Sequence, residues 1–252
     1  MRLVTFNILH GRSLEDGRVD VPRFAAAVRA LDPDVLALQE VDRDQPRSGG
    51  VDLTAVAVDA MGAVAHRFVA ALTGTPGGTW VAATGDEQPG AAGYGIALLS
   101  RYPVHSWRTV RLPPLPVSVP FLVRSRRLPI VVRDEPRVAV AAVVSTPDAD
   151  VTVIGTHLSF LPLWNAVSLR RLIQALRGVR GPLVLMGDLN MSAKRAVHVS
   201  QLRPLASALT YPADEPRQQI DHILARGELP PSRAQAAHRL PLSDHRALSV
   251  DL

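Results

Sequence analysis

Leu183-Val184-Leu185-Met186-Gly187-Asp188-Leu189-Asn190 runs four apolar residues straight into a glycine, then sets a carboxylate and an amide two positions apart. An apolar run this short, closed by a turn residue, has the length of a buried strand, and its polar end marks where the strand leaves the sheet. Upstream, residues 164–176 have helical length and stop before Gly178, and residues 151–154 repeat the strand pattern and end in Gly155-Thr156-His157. Downstream the pattern returns in Gln219-Ile220-Asp221-His222, beside an apolar strand at 220–225, and in Leu242-Ser243-Asp244-His245 before a last strand at 247–252.

The N-terminal half follows the same rule. A β-type run over residues 2–8 carries Thr5-Phe6-Asn7, and a strand at 35–38 runs into Gln39-Glu40. Between them Asp20 is placed to cap a helix over residues 21–31, which Asp32-Pro33 stops. A second helix is expected at 52–61, ending at Gly62, and further strands at 96–99 and 138–144. Residues 73–93 read as loops around one short strand, and residues 111–136, rich in proline and arginine, as a long loop or hairpin insertion. No repeat, low-complexity linker or domain boundary interrupts the 252 residues, so one domain is expected over 1–252.

Composition narrows the chemistry. With no cysteine, disulfides, thiolate metal ligands and cysteine nucleophiles are all excluded. Apolar runs fall far short of the roughly 20 residues a membrane helix needs. No export signal is visible at Met1-Arg2-Leu3-Val4, so a cytoplasmic location is the default expectation, and no obligate protein partner is visible. The net charge of +5 invites a polyanion, but Lys194 is the sole lysine and the arginine-rich vocabulary is equally explained by genomic base bias.

If the strands lie in adjacent sheets, their polar ends converge on one cleft, where rigid scaffolds place catalytic groups. The collected atoms are hard oxygens and imidazoles, which suit Mg²⁺ or Mn²⁺ and attack of water on phosphorus. Singly, each piece has a plainer reading. Asn7 can cap a turn, Asp188-Leu189-Asn190 can form an Asx-turn, Asp221 can pair with an arginine, and His157 can be a structural histidine.

Together and in order, Asn7, Gln39-Glu40, Thr156-His157-Leu158, Gly187-Asp188-Leu189-Asn190, Asp221 and Ser243-Asp244-His245 resemble the endonuclease/exonuclease/phosphatase superfamily across essentially the whole chain. The resemblance implies an α/β fold, a four-layer DNase I-like sandwich of two packed mixed β-sheets flanked by helices, with the site at one end. It implies Glu40 as principal metal ligand, Asn7 adding an amide oxygen and Asp244 completing or flanking the coordination of Mg²⁺ or Mn²⁺, with one or two ions left open. It further implies Asp188 as the carboxylate that orients or deprotonates water and Asn190 as the amide that positions the water or holds a phosphoryl oxygen. His245 would contact the scissile phosphate and be oriented by Asp221, and His157 would be a second phosphate contact.

Where the superfamily's abasic-site endonucleases carry Tyr-x-Pro-Asn, this chain has Thr156-His157-Leu158, which resembles instead the sphingomyelinase-like, phosphoinositide-phosphatase-like and nonspecific-nuclease-like branches. The expected activity is hydrolysis of a phosphodiester or phosphomonoester, with a nuclease acting on DNA or RNA as the alternative and a non-catalytic phosphate-binding module as the remote one. Arg124, Arg126 and Arg127 are the candidate substrate-binding arginines. Leu115, Val117, Val119 and Leu122 around them suit an interfacial loop, which favours a small or lipid substrate over a nucleic acid.

Overall fold

The structure is a computed structural model that describes residues 1–88, 90–121 and 130–252. Arg124, Arg126 and Arg127 lie outside the described residues. In chain order the elements are β1 (Arg2–Asn7), α1 (Val21–Leu31), β2 (Val35–Arg43), α2 (Leu53–Met61), β3 (Ala65–Gly74), β4 (Trp80–Ala82), β5 (Gly93–Ser100), β6 (Val104–Leu112), β7 (Val119–Phe121), β8 (Ile130–Val132) and β9 (Arg137–Ser145). There follow β10 (Asp150–His157), α3 (Trp164–Ala175), β11 (Leu183–Asp188), α4 (Ala193–Ser200), β12 (Arg203–Pro204), β13 (Asp221–Arg226), β14 (Ala234–His238) and β15 (Ala247–Asp251).

Among the described residues these strands form a seven-stranded sheet in the order β14-β15-β1-β2-β5-β3-β4 and a six-stranded sheet in the order β12-β13-β11-β10-β9-β6. Both are mixed: β1 runs parallel to β2, and β10 to β11, while their other neighbours are antiparallel. A parallel pair needs a crossover, and α1 and α3 supply it. The insertion expected at 111–136 contains the antiparallel pair β7/β8, although Arg111 belongs to β6.

Successive residues of the central strands face different layers. Leu3, Val35, Ala37, Val153 and Met186 pack between the sheets. Val4, Leu36 and Leu38 pack outward with Phe24, Val28 and Leu31 of α1 and with Leu53 and Met61 of α2. Ile154, Leu183 and Leu185 pack on the other side with Leu169 and Leu172 of α3 and Ala196 of α4. The result is the expected four-layer sandwich. Because both faces of these strands are covered, they read as unbroken apolar runs. Each fully buried leucine or phenylalanine contributes about 1.5–3 kcal/mol to the assembly of the layers.

The helix ends follow local chemistry. Asp20 Oδ1 accepts from Arg23 N at 2.8 Å, Asp52 Oδ1 accepts from Thr54 N at 2.8 Å, and Gly62 closes α2 at φ 68°. Strand β2 departs from expectation: it continues through Gln39-Glu40 to Arg43, so these two residues lie within a strand instead of beyond its end.

Topology places the site. The parallel pairs bring the C-terminal ends of β1, β10 and β11 and the Glu40 region of β2 to one side. Strands β13 and β15, antiparallel to their neighbours, begin on that side: Asp221 sits opposite Asp188, and His245 stands two residues before β15. A hydrogen bond of 3.1 Å from Asn7 Nδ2 to Asp188 Oδ2 joins the two sheets there.

Candidate active site

Three backbone departures aim the side chains. The pairing of β2 with β5 slips between Gln39 and Val41, leaving Glu40 as a bulge residue at φ 56°. A non-glycine residue in this left-handed region costs of order 1 kcal/mol, and a bulge of this kind turns a side chain out of the strand's alternation. Asn190, at φ 51°, and Ser243, at φ 70°, make similar turns. Ser243 Oγ donates to Asn7 O at 2.6 Å and accepts from His245 N at 3.1 Å, which ties the Ser-Asp-His turn to β1. At Gly187 a Cβ would stand 1.9 Å from Thr156 O, so only glycine lets β11 lie this close to β10 just before Asp188.

The buried Asp188 is the hub. Its Oδ2 accepts from Asn7 Nδ2, and its Oδ1 accepts from Asn190 N at 2.9 Å, closing an Asx-turn. His157 Nε2 lies 3.5 Å from Asp188 Oδ2, and His245 Nε2 lies 3.8 Å from the same oxygen. Burial raises the Asp188 carboxyl well above the usual carboxylate range, and Asp221 adds to this, while His245 opposes it.

The two histidines are held in different charge states. His245 Nδ1 bonds Asp221 Oδ2 at 2.9 Å. Burial alone would depress His245, but Asp221, Asp188 and Asp244 outweigh it and carry its pKa up to about 10, so it is an imidazolium. His157 Nδ1 lies 3.3 Å from Arg137 NH1. A guanidinium only donates, so this nitrogen accepts and the His157 proton sits on Nε2, facing Asp188. Burial, with Arg137 and His245 adding to it, keeps His157 well below the ordinary histidine range and therefore neutral. Asn190 Nδ2 donates to Leu158 O at 3.0 Å and stands 3.4 Å from His157 Nε2.

These groups open on a cleft of about 450 Å³ whose walls include Glu40, Tyr94, Arg137, Tyr211 and Asp244. Glu40 Oε1 accepts from Asn7 Nδ2 at 3.0 Å, and among the described residues Glu40 forms no ion pair. Burial raises its carboxyl, the Asn7 bond opposes this, and Asp244 adds to it. A desolvated carboxylate beside a second one, in no ion pair among the described residues although His245 and Arg137 act on it from further off, fits a hard divalent cation. Asp188, Asp221 and His245 also place ligand atoms within 4.8 Å of one another, but His245 is committed to Asp221 by a proton, which leaves the oxygens as the donors. Asn7 turns its amide nitrogen, not its oxygen, to the carboxylates, and Asn7 Oδ1 accepts from Leu9 N at 3.2 Å.

The structure thus brings Asn7, Glu40, His157, Asp188, Asn190, Asp221, Asp244 and His245 to one end of the sandwich. Arg137, Tyr94 and Tyr211 escaped sequence reasoning. Arg137 directly follows the proline-rich stretch with its several arginines, and its position just before the apolar run 138–144 was the one available signal. Tyr211, whose ring centre is 4.9 Å from that of His245, lies in a segment without periodicity.

The sequence matches the family model described as "Endonuclease/Exonuclease/phosphatase family" over residues 4–245. No curated protein matches it significantly. Among solved structures it is similar to an endonuclease/exonuclease/phosphatase from Beutenbergia cavernae, at 24% identity and TM-score 0.67, over 99% of this chain and 70% of that one. It is also similar to a mannosyl-6-phosphatase from Bacteroides thetaiotaomicron, at 15% identity and TM-score 0.63, over 100% of this chain and 98% of that one. A sphingomyelinase C from Streptomyces griseocarneus is similar at 14% identity and TM-score 0.62, over 99% of this chain and 98% of that one. At these identities the likeness is one of fold.

Proposed function

Because the chain belongs to the endonuclease/exonuclease/phosphatase family, we propose that it is a divalent-metal-dependent phosphoester hydrolase in which Asp188 activates water against phosphorus. The observation that carries this reading is the setting of Asp188: a buried carboxyl of raised pKa, gripped by Asn7 and Asn190, with a charged His245 and a neutral His157 on either side.

A carboxyl whose pKa is raised by burial is a better base near neutral pH than an exposed aspartate. As the water oxygen bonds to phosphorus, its proton passes to Asp188 and the ester oxygen departs. The His245 imidazolium, oriented by Asp221, sits where it can take a hydrogen bond's share of the charge growing on a phosphoryl oxygen, and His157 Nε2–H offers a second donor. Asn190 orients the water from a side chain anchored on Leu158 O. Mg²⁺ or Mn²⁺ held by Glu40 and Asp244, joined by Asn7 if its amide turns over, would neutralise phosphate charge and polarise the ester.

We take residues 1–252 as one domain, since the first strand pairs with the last. The mannosyl-6-phosphatase and sphingomyelinase among the similar structures show how far leaving groups vary on this scaffold, so fold does not choose the substrate. Thr156-His157-Leu158 speaks against an abasic-site endonuclease, and the apolar residues Leu115, Val117 and Val119 of the proline-rich segment favour a small or lipid phosphoester over a nucleic acid. A panel of inositol phosphates, sphingomyelin, nucleotides, DNA and RNA, assayed with Mg²⁺ or Mn²⁺, tests this choice: efficient cutting of duplex DNA or RNA alone would promote the nuclease reading.

A further inference from the structure

A second cleft, of about 730 Å³, opens between β3 of one sheet and the edge strand β6 of the other. Arg43 from the end of β2, Arg67 from β3 and Arg111 from β6 line it, so both sheets contribute. Among the described residues none of the three forms an ion pair. Their planes are fixed by other means. The Arg43 guanidinium lies 4.8 Å from the centre of the Phe68 ring, and that of Arg67 lies 5.3 Å from the centre of the Trp107 ring. Arg111 NH1 donates to Ala70 O at 3.3 Å, and a Cβ at Gly85 would stand 2.9 Å from Arg111 NH2, so the glycine leaves room for the guanidinium.

Two acids also line the cleft, Asp44 and Glu87. Glu87 turns its carboxylate onto the backbone nitrogens of Thr84 and Gly85, both within 3.1 Å, and among the described residues neither acid forms an ion pair with the three arginines, which outnumber them. Among the described residues Arg43 Nε is buried with no acceptor, so it is not one of the donors that an anion in the open cleft would reach. Three guanidiniums that line one cleft and form no ion pair among the described residues match the oxygens of a multiply charged oxyanion.

The geometry points to this cleft as an anion site for a phosphate group distinct from the one being hydrolysed. Arg43 follows Glu40 by three residues on β2, about 10 Å along an extended strand. The site therefore suits a second phosphate carried by the substrate some way from its scissile ester, or a free polyphosphate that acts on the enzyme. The substrate form rests on the phosphoesterase reading, whereas anion binding itself does not.

The test is calorimetric titration of the full chain with inorganic tripolyphosphate in EDTA at low salt. The wild type binds, Arg67→Gln/Arg111→Gln loses about tenfold or more in affinity, and His245→Gln keeps wild-type affinity. Arg67 and Arg111 are exposed, so their replacement spares the fold. No binding, equal affinity in the arginine variant, or loss confined to His245→Gln overturns the site. A kinetic arm at fixed free Mg²⁺ separates the two anion sources. A free effector changes turnover of bis(4-nitrophenyl) phosphate when tripolyphosphate is added, in the wild type but not in the arginine variant. A distal-phosphate subsite leaves that turnover unchanged and appears as a KM about tenfold higher in the variant for an ester bearing a second phosphate. Binding with neither effect overturns the functional part of the inference. A wild type inert towards every ester defeats the phosphoesterase reading and leaves the binding result to stand alone.

Discussion

His245 Nδ1 and Asp221 Oδ2 lie 2.9 Å apart, with side chains 6% and 0% exposed, so the imidazole is held charged inside the protein. Asp221→Asn should lower the His245 pKa from about 10, a shift that NMR titration of the ring protons reads directly. A folded pKa above the ordinary histidine value of 6.5 contributes stability fully present below that value and lost as pH rises towards 10. The variant should therefore show a flatter decline in stability over this window. Because Asp221 acts through His245, the double variant Asp221→Asn/His245→Ala should be about as slow as His245→Ala alone, and rate losses that multiply would show the pair to be independent.

Glu40 is desolvated, bonded to Asn7 and neighboured by Asp244, which calls for a cation. Glu40→Gln keeps the shape and removes the charge, so calorimetric Mg²⁺ affinity and activity should fall together, and excess Mg²⁺ should restore part of the rate. Removal of the metal with EDTA should abolish activity in the wild type, and added Mg²⁺ or Mn²⁺ should bring it back. Wild-type activity of Glu40→Gln at limiting Mg²⁺ would remove Glu40 from the coordination.

Arg137 fixes the tautomer of His157. Nitrogen-15 shifts of the wild type should report an unprotonated Nδ1 and a protonated Nε2. In Arg137→Gln the pKa of His157 should rise, since one of the influences holding it down is gone, and the rate should fall by about tenfold for a misoriented donor. A protonated Nδ1 in the wild type would contradict the assignment.

Much of this was legible in the chain because polar residues stand at the ends of short apolar runs. Asp188, His157, Asp221 and His245 could be placed from that pattern, and the resemblance supplied their order. The strand β3, whose sequence Ala65-His66-Arg67-Phe68 mixes exposed and half-buried positions, gave no clear period, and neither did β6 or β14. The helix α4 is short and begins without a side-chain cap. The bulge that turns Glu40 into the cleft depends on pairing with β5 more than fifty residues away, a relationship that no local pattern encodes. Arg137 was hidden for the same reason: its partner His157 is brought beside it by the turn between β9 and β10.

Gly187 lets β11 approach β10, with a would-be Cβ 1.9 Å from Thr156 O and φ at 151°. Gly187→Ala should cost about 3 kcal/mol or more, a value in the range reserved for backbone clashes and core damage, and thermal denaturation measures it. A wild-type melting temperature would refute the close approach. Full fold retention with lost activity would mean that only the aim of Asp188 depends on the glycine.

The central claim is that Asp188 drives metal-dependent attack of water on phosphorus. Hydrolysis of bis(4-nitrophenyl) phosphate with Mg²⁺ or Mn²⁺, followed for the wild type and for Asp188→Asn at matched stability, tests it most directly. The wild type should turn over, and Asp188→Asn should lose about 10²- to 10⁴-fold, the contribution of a general base. A variant as fast as the wild type, or a wild type that binds phosphate yet hydrolyses no phosphoester with either metal, would contradict it.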